Sequence, residues 1–316
     1  MRHALFAVIA LTGCDRSGMD PVDDEDPVVT CDTVVNTTIP ADGAVDAYYR
    51  GSVEFALSEP DPEATVSATF PGTLEVKDDG AVIAYHPTEP LAPHTTYEAT
   101  LDYCGGKPTI EFTTSELGES LGDVDLVGRT FRIGLVEARF AGGPGLSEVA
   151  AELLARALLV QVTAIDETGV HLRVALADDA DTSRQDPCMR TIELPAADFT
   201  LSPYFSLQAT DVSFGSASVT VDLVALEFAA TLSSDASWVG GGTFQAILDA
   251  RDVAALIETS PEGLCSIAEG LGVPCGECAD GEPMCVTIDA DGIVGEWLDG
   301  VSIEVIDSGS NVVGCE

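Results

Sequence analysis

Basic side chains are scarce in this sequence. Its 316 residues include 13 lysines and arginines against 54 aspartates and glutamates, which gives a formal net charge of −41 at pH 7. Lys77 and Lys107 are the only lysines. Because a negative field of this size repels phosphate groups, the composition excludes nucleic acid as a partner.

Motifs of catalysis are missing as well. The sequence has no His-Glu-x-x-His and no phosphate-binding P-loop. Its one Gly-x-Ser-x-Gly match, Gly118-Glu-Ser-Leu-Gly122, falls in a short polar segment predicted to be a linker. A nucleophile–histidine pair in the C-terminal half would have to use His171, which we predict to be a structural residue of a strand. His86 and His94 flank prolines and are predicted to lie in surface loops. Abundant carboxylates leave a two-carboxylate hydrolase open, and no cofactor is expected.

The apolar run at the N-terminus, which begins at Ala4, is far shorter than the ~20 residues that a membrane-spanning helix needs. It follows a basic start and precedes Leu11-Thr12-Gly13-Cys14, an order typical of a secretory signal peptide. These last four residues resemble the bacterial lipobox. The resemblance implies that residues 1–13 are a cleaved signal peptide and that the thiol of Cys14 carries a lipid. An ordinary signal peptide with a chance cysteine is the alternative.

The residues that follow are typical of a tether. Residues 14–30 are polar, acidic and proline-containing, and such a segment has too little apolar surface to fold. The acidic run Asp23–Asp26 could bind calcium, but a solvated tether accounts for the same acidic residues. We therefore predict that 14–30 are the lipidated cysteine and a disordered acidic tether.

Cysteine usage favours disulfides. The sequence has nine cysteines, and removing Cys14 leaves an even number, which in an exported chain argues for four disulfide bonds. Cys31 and Cys104 bracket the first domain and are predicted to pair with each other. The remaining cysteines allow 15 connectivities, and they are Cys188, Cys265, Cys275, Cys278, Cys285 and Cys315.

The spacing Cys275-Gly-Glu-Cys278 leaves two other interpretations open. A redox Cys-x-x-Cys normally lies at the junction of a strand and a helix in a βαβ unit, whereas this one lies in a loop rich in glycine and proline. A zinc site needs a fourth ligand nearby, and no histidine follows His171. We therefore favour structural disulfides over a metal or redox site.

Residues 31–116 show short strand-like runs between turn residues, a pattern that predicts an antiparallel β-sandwich. The runs are Gly51–Leu57, Ala64–Phe70, Leu74–Val76, Ala81–Tyr85, Thr96–Tyr103 and Thr109–Thr113. The phrases Ile39-Pro-Ala-Asp-Gly-Ala44, Tyr85-His-Pro87 and Leu91-Ala-Pro-His-Thr-Thr-Tyr97, closed by Phe112-Thr-Thr114, resemble the bacterial Ig-like domain of S-layer and surface proteins (SbsA-type, Big_5). The resemblance implies a β-sandwich that acts as a spacer, stalk or adhesive module and has no catalytic residues.

After a predicted linker at 117–124, residues 125–316 mix strand and helix patterns. Leu146–Leu158 carries apolar residues on one helical face, and short helices are predicted at Asp252–Glu258 and from Pro261, after the N-cap Ser260, to Gly270. The predicted strands are Thr130–Phe140, Leu159–Ile165, Val170–Ala177, Met189–Leu194, Asp211–Phe214, Ser218–Leu232, Ser237–Leu248, Met284–Ile288 and Val301–Ile306. The whole chain is thus predicted to be mainly β: an Ig-like β-sandwich followed by a β-rich α+β, disulfide-stapled domain, with a barrel-like or strongly curved sheet plugged by helix 146–158.

One weak metal candidate remains. Asp289 and Asp291, together with Thr287 and Gly292, match only the first half of an EF-hand loop. The twelfth position of that loop would be Leu298, where a glutamate is required. An Asp-Gly turn between strands explains the same residues, so no metal is expected and calcium is kept as the alternative.

Three functions follow from these patterns. The first is a non-enzymatic exported lipoprotein, attached to a bacterial membrane by its lipid, whose Ig-like module presents the distal domain for binding or structural contact. Its partners would be the membrane and cell-envelope or surface proteins or polysaccharide. The second is a carrier of lipid or another small apolar ligand. The third is a cell-envelope hydrolase, which would need converging carboxylates or His171 in a network.

Overall fold

The computed structural model describes residues 31–142, 156–215, 220–254 and 259–307. Contacts divide the chain into Met1–Asp32 and Thr33–Glu316. The described part is mainly β with disulfide bonds and a nearly closed, barrel-like sheet, which confirms the predicted fold class. Within these ranges, no helix combines the length and apolar character that crossing a bilayer requires.

Eight strands between Val35 and Thr114 form two four-stranded sheets. They are β1 (Val35–Ile39), β2 (Ala44–Ala47), β3 (Val53–Leu57), β4 (Thr65–Ala68), β5 (Gly72–Lys77), β6 (Val82–Pro87), β7 (Thr96–Asp102) and β8 (Thr109–Thr114). One sheet has the order β1-β3-β6-β5 and the other β2-β8-β7-β4. We call these two sheets the sandwich.

The sandwich core follows from alternation along its strands. In β3, Val53, Phe55 and Leu57 are buried while the residues between them are partly exposed, because successive side chains of a strand point to opposite faces. Phe70 lies at the centre of an aromatic cluster, with its ring centroid 5.5 Å from that of Tyr97. These inward side chains close the space between the two sheets.

The remaining strands form one large antiparallel sheet. They are β9 (Thr130–Gly134), β10 (Arg139–Phe140), β11 (Leu158–Asp166), β12 (Gly169–Leu176), β13 (Ile192–Glu193), β14 (Tyr204–Gly215), β15 (Thr220–Leu232), β16 (Trp238–Asp249) and β17 (Cys285–Leu298). The order is β13-β12-β11-β9-β17-β16-β15-β14, and β10 pairs with β17 off this path. Because β9 pairs with β17, the first and last long strands are neighbours. We call this sheet the barrel.

Two residues bring the open edges of the barrel together. Ala197 exchanges backbone hydrogen bonds of 2.9 and 3.0 Å with Val170 of β12, and Asp198 exchanges bonds of 2.7 and 3.0 Å with Ser206 of β14. Gly169, at φ +132°, is required beside this bridge because a Cβ there would lie 2.0 Å from the carbonyl oxygen of Ala197. The barrel is therefore closed by a bridge of two residues rather than by a further full strand.

Helices are short in the described ranges. Helix α1 (Ala250–Ala254) covers the described start of the helix predicted at Asp252–Glu258. Helix α2 (Pro261–Gly270) confirms its prediction, and the Ser260 hydroxyl accepts a hydrogen bond of 3.1 Å from the Gly263 amide. The helix predicted at 146–158 lies outside the described residues except for its last three. Its predicted end is wrong, since Leu158 begins strand β11.

Three strand predictions are corrected by the structure. The strand predicted at Thr130–Phe140 is two strands, β9 and β10, separated by a turn. The strand predicted at Met189–Leu194 shortens to the two residues of β13. Val301–Ile306 is not a strand, because side chains bind its backbone in place of a neighbouring strand: the side-chain oxygens of Gln185 and Thr191 accept from the amides of Glu304 and Ile306 at 2.9 and 3.0 Å.

The sandwich packs directly on the barrel. Tyr48, which follows β2, places its hydroxyl 2.9 Å from the Thr231 hydroxyl of β15. Its ring fills the space beside Gly241, where a Cβ would lie 2.1 Å from the ring. The Trp238 indole donates a 2.8 Å hydrogen bond to Glu116. Leu117, in the predicted linker, is buried in the sandwich core against which Trp238 packs.

Candidate functional site

The interior of the barrel is packed with side chains. A void of about 20 Å³ remains at its centre. This is close to the volume that one water molecule needs, and it is far below the ~300 Å³ of the smallest ordinary ligand pockets. The lining is apolar and consists of Phe131, Ile133, Val160, Val162, Val170, Leu172, Phe199, Phe205, Leu232 and Val239. The centre of the barrel therefore offers no room for an apolar ligand.

An open groove of about 450 Å³ lies at one end of the barrel, where β9 begins and β17 ends. The residues that line it are Asp125, Val127, Gly128, Arg129, Trp297, Leu298, Asp299, Gly300, Val301 and Ser302. No histidine or cysteine is among them. The groove is thus large enough for a small polar ligand but lacks a nucleophile–histidine pair.

Arg129 holds the floor of this groove together. Its Nη1 donates to the carbonyl oxygens of Ala236 and Asp235 at 2.7 and 3.0 Å, and its Nε donates to the carbonyl oxygen of Asp125 at 2.9 Å. The guanidinium also lies 4.2 Å above the ring of Trp297, within cation–π distance. Since three carbonyls and one ring already hold this cation, its main role is to close the end of the barrel.

His171 lies in β12 beside the β11–β12 turn. Its Nε2 is 3.0 Å from the Asp166 carboxylate and 3.3 Å from the Thr168 hydroxyl. In a catalytic triad one ring nitrogen faces the nucleophile and the other faces the acid, whereas here a single nitrogen faces both. Hydrogen bonds from the Thr168 hydroxyl and amide hold the pKa of Asp166 below its usual range. The three residues form a polar turn network rather than a catalytic one.

The other two described histidines pair with single carboxylates. His86 lies in β6 rather than in a loop, which corrects the prediction, and its Nε2 is 2.7 Å from Glu75 of β5. His94 lies in a turn, as predicted, with its Nε2 3.3 Å from Glu119. The hydrogen bond from His86 lowers the pKa of Glu75. Both pairs are solvent-exposed.

The calcium candidates lie within strand β17, which runs without interruption from Cys285 to Leu298. An EF-hand site requires a loop that wraps its ligands around the ion, and these residues are extended instead. Arg139 of β10 binds both carboxylate oxygens of Asp291, at 2.7 and 2.8 Å. Asp289 lies two residues away on the same strand and pairs with Gln245 in the β16–β17 ladder. The charge of Asp291 is therefore already balanced by an arginine.

The disulfides resolve part of the cysteine framework. Cys265 bonds with Cys275, and Cys278 bonds with Cys285. The Cys275-Gly-Glu-Cys278 motif therefore does not close on itself, as a redox motif would. Cys31, Cys104 and Cys188 are disulfide-bonded too, while Cys14 and Cys315 lie outside the described residues. The Cys31–Cys104 pairing stays a prediction.

A carboxylate and an arginine lie next to these disulfides. Arg251 binds Asp249 at 2.5 Å and Asp280 at 2.7 Å, and its hydrogen bonds hold the pKa of Asp249 below its usual value. Oxygen of Asp249 and the sulfurs of Cys278 and Cys285 lie within 4.8 Å of one another. Those sulfurs are bonded together, so they lack the thiolates that a metal needs. The arrangement fits a structural ion pair at the start of α1.

Sequence patterns do not single out the groove residues. Arg129 and Trp297 are at opposite ends of the barrel sequence, and no motif links them. They meet because strands β9 and β17 pair in the middle of the sheet, with Trp297 of β17 opposite Phe131 of β9. Register across that pair cannot be read from either segment alone.

Comparisons with known proteins leave the family open. No family model matches the chain, and no curated protein matches it. Among solved structures, an L,D-transpeptidase from Mycobacterium smegmatis is 17% identical, covers 48% of this chain and 83% of its own, and has a TM-score of 0.23. L,D-transpeptidase 1 from Mycobacterium tuberculosis is 15% identical over 46% of this chain and 80% of its own, with a TM-score of 0.22. Scores this low do not define a shared overall fold.

Proposed function

We propose that this chain is an exported, lipid-anchored and non-enzymatic lipoprotein in which the sandwich holds the barrel in place for binding or structural contact at the cell envelope. The lipid is attached at Cys14, and residues 15–30 connect it to the folded part. The anchor rests on Leu11-Thr-Gly-Cys14 in the sequence, and the fixed placement of the sandwich on the barrel rests on the contact between Tyr48 and the fully buried Thr231. A flexible stalk would not need such a contact.

Further contacts support a fixed arrangement. The guanidinium of Arg50 lies 4.1 Å above the ring of Tyr204, and its Nε donates a 3.0 Å hydrogen bond to the Tyr49 hydroxyl. The Tyr49 hydroxyl in turn lies 3.4 Å from that of Thr231. Aromatic rings and buried hydroxyls of this kind anchor interfaces because they bury large areas with little loss of side-chain entropy. The sandwich and barrel therefore meet through an interface of anchored residues.

The competing functions have weaker support. A carrier needs a cavity, and the barrel centre has a void of about 20 Å³. A hydrolase needs an acid and a base that meet a substrate, and His171 is bound within its own turn. The groove at Arg129 and Trp297 is the described concavity best suited to a partner, and we place the contact surface there.

Membrane fractionation tests the anchor. We expect the wild-type chain to stay in the membrane pellet after high-salt washing and to be released only by detergent, because two or more acyl chains give stable anchoring. The variant Cys14→Ala should appear in the soluble fraction. Ser17→Ala, three residues further on, is the matched control and should behave as wild type. Retention of Cys14→Ala in the washed pellet would refute the proposed anchor.

A further inference from the structure

Residues Val301–Ile306 cross the outer face of the barrel, and we call them the strap. Thr130, the first residue of β9, donates a 2.8 Å hydrogen bond to the Val301 carbonyl oxygen. Thr191, beside β13, binds Ile306 at the other end. The path from β9 to β13 passes over β11 and β12, which is three interstrand spacings, or about 14 Å. Five residue steps reach at most about 18 Å, so the strap is nearly extended.

The strap has one fully buried side chain. Ile303 is 3% exposed, whereas Val305, two residues further on, is 61% exposed. The pocket of Ile303 is small and apolar, and the residues clustered there are Ala157, Leu159, Ala175 and Ala177. Leu159 alternates along β11 with Val160 and Val162, which line the barrel centre, so the pocket opens outward. Its three alanines leave space for a single branched aliphatic side chain.

The polar contacts bind the backbone of the strap. The Gln185 side chain binds Glu304 twice, because its Nε2 donates to the carbonyl oxygen and its Oε1 accepts from the amide, both at 2.9 Å. The Thr191 amide donates to the Ile306 carbonyl oxygen at 3.0 Å, and the Thr191 hydroxyl accepts from the Ile306 amide at 3.0 Å. In peptide recognition, backbone hydrogen bonds supply affinity and a side-chain pocket supplies specificity. This face of the barrel has both features.

The groove beneath the strap is held in shape by contacts that do not involve the strap. Arg156 binds the Asp186 carboxylate at 2.6 Å, which fastens the loop that carries Gln185 to the barrel. Arg173 donates a 3.2 Å hydrogen bond to the strap at the Ile303 carbonyl oxygen, and its ion pair of 2.5 Å with Glu193 of β13 orients it. The groups that bind the strap are therefore already in place before a peptide arrives.

The strap is joined to β17 by a short exposed turn. Leu298 ends β17, and the next two residues, Asp299 and Gly300, are exposed. Gly300 has a φ of +71°, a conformation that glycine adopts more readily than any other residue. Rotation at these two residues lifts the strap while β17 keeps its pairing with β9 and β16.

Two polar residues under the strap suit a groove that opens to water. Thr130 is fully buried and Gln161 is 7% exposed, although both lie on the outer face. When the strap leaves, water replaces its backbone at both side chains, so no polar group is left unsatisfied. We propose that the outer face of β9, β11 and β12 is a peptide-binding groove that the strap fills in cis. Its ligand is an extended peptide that replaces the strap and places a branched aliphatic side chain in the Ile303 pocket.

Peptide binding tests the groove directly. The probe is a fluorescent peptide with the sequence of residues 299–307, and the protein is the full Cys14→Ala chain with its disulfides intact, so the result does not depend on the lipid anchor. High salt screens the repulsion between these two acidic molecules. Ile303→Ala weakens the strap, whereas Val305→Ala, the matched control, removes an exposed side chain of the same strap. A probe that carries Ile303→Asp should not bind.

Fluorescence anisotropy should show at least about tenfold tighter binding of the probe to Ile303→Ala than to Val305→Ala or the unaltered strap, because apparent affinity rises with the fraction of open groove. Equal affinity for the two variants, or no binding to Ile303→Ala while its circular dichroism matches that of Val305→Ala, would overturn the inference.

Hydrogen exchange tests the strap without a variant in it. The amides of Ile303, Glu304 and Ile306 should exchange at least about a hundredfold faster than the ladder amides of Val160 and Val174, because local opening needs less free energy than unfolding of the barrel. Exchange of the strap amides at the rate of the ladder amides would mean that the strap leaves only when the barrel unfolds, and it would contradict the inference even if Ile303→Ala fails to fold.

Discussion

At the scale of single residues, the contact between sandwich and barrel depends on Tyr48. Its hydroxyl lies 2.9 Å from Thr231, and its ring lies against Gly241, whose φ of +58° and lack of a Cβ make the space. Burial is the main reason that the pKa of Tyr48 lies well above its ordinary value of 10.0. The buried phenol must stay neutral for the contact to persist.

Tyr48→Phe should therefore lower the free energy of unfolding by about 1 kcal/mol at pH 7, the usual net value of one hydrogen bond. Because the folded-state pKa is raised, the wild-type contribution is fully present below pH 10 and is lost as the pH rises above it. The difference between the two proteins should shrink in urea titrations above pH 10. Tyr103→Phe, outside this contact, controls for other tyrosines, and a difference that stays constant across this range would contradict the account.

Individual residues also mark where sequence patterns carry no information. Arg129 and Trp297 stack at the end of the barrel, but in the sequence neither belongs to a motif that would mark it as part of a site. The proline that follows His86 predicts a loop, yet both His86 and Pro87 belong to β6. Proline is tolerated at the end of a strand where its missing N–H is not needed. The neighbour that decides each of these cases lies far away in the sequence.

At the scale of elements, strands with one buried face were predictable. Val53, Phe55 and Leu57 alternate with partly exposed residues, and period-two alternation is the direct signature of a half-buried strand. Val301–Ile306 has a similar strand-like sequence, but its backbone amides bind the side chains of Gln185 and Thr191 instead of a neighbouring strand. The strand prediction for this segment was wrong because backbone N–H and C=O groups bind any suitable partner, and the local sequence does not specify which partner that is.

The closure of the barrel was likewise hidden from the sequence. Ala197 and Asp198 each make one bridge, to β12 and to β14, and two residues are too few for a periodic pattern. What the sequence did contain was the glycine beside them. Gly169 adopts φ +132° and closely approaches Ala197, and a glycine after a turn is as easily explained by the turn alone.

Gly169→Ala should consequently destabilise the barrel by roughly 1–3 kcal/mol, the cost of a strained backbone, with added loss where the methyl group displaces Ala197. Gly281→Ala is the matched control, because its φ is +86° and a Cβ there meets nothing within 4 Å. Chemical denaturation of both variants separates the backbone cost from the steric cost. The closure account requires a larger loss for Gly169→Ala, and equal losses would refute it.

At the scale of the whole molecule, the described features fit a presentation module. The barrel core is filled, its end is held by Arg129, and the sandwich is attached through anchored aromatic residues. Disulfides Cys265–Cys275 and Cys278–Cys285 hold the loops beyond α1 and α2, as expected for a domain that works in an oxidising compartment. In the proposed function, a lipid anchor holds this arrangement at a membrane surface, where the groove can meet a partner.

The lipid on Cys14 is therefore the central claim, and the mass of the mature protein tests it most directly. Protein extracted from membranes with detergent would be analysed by intact mass spectrometry and by mapping its N-terminal peptide. The account predicts a chain that begins at Cys14 and carries the added mass of a diacylglyceryl group on its sulfur. A chain that still begins at Met1, or an unmodified thiol at Cys14, would contradict it.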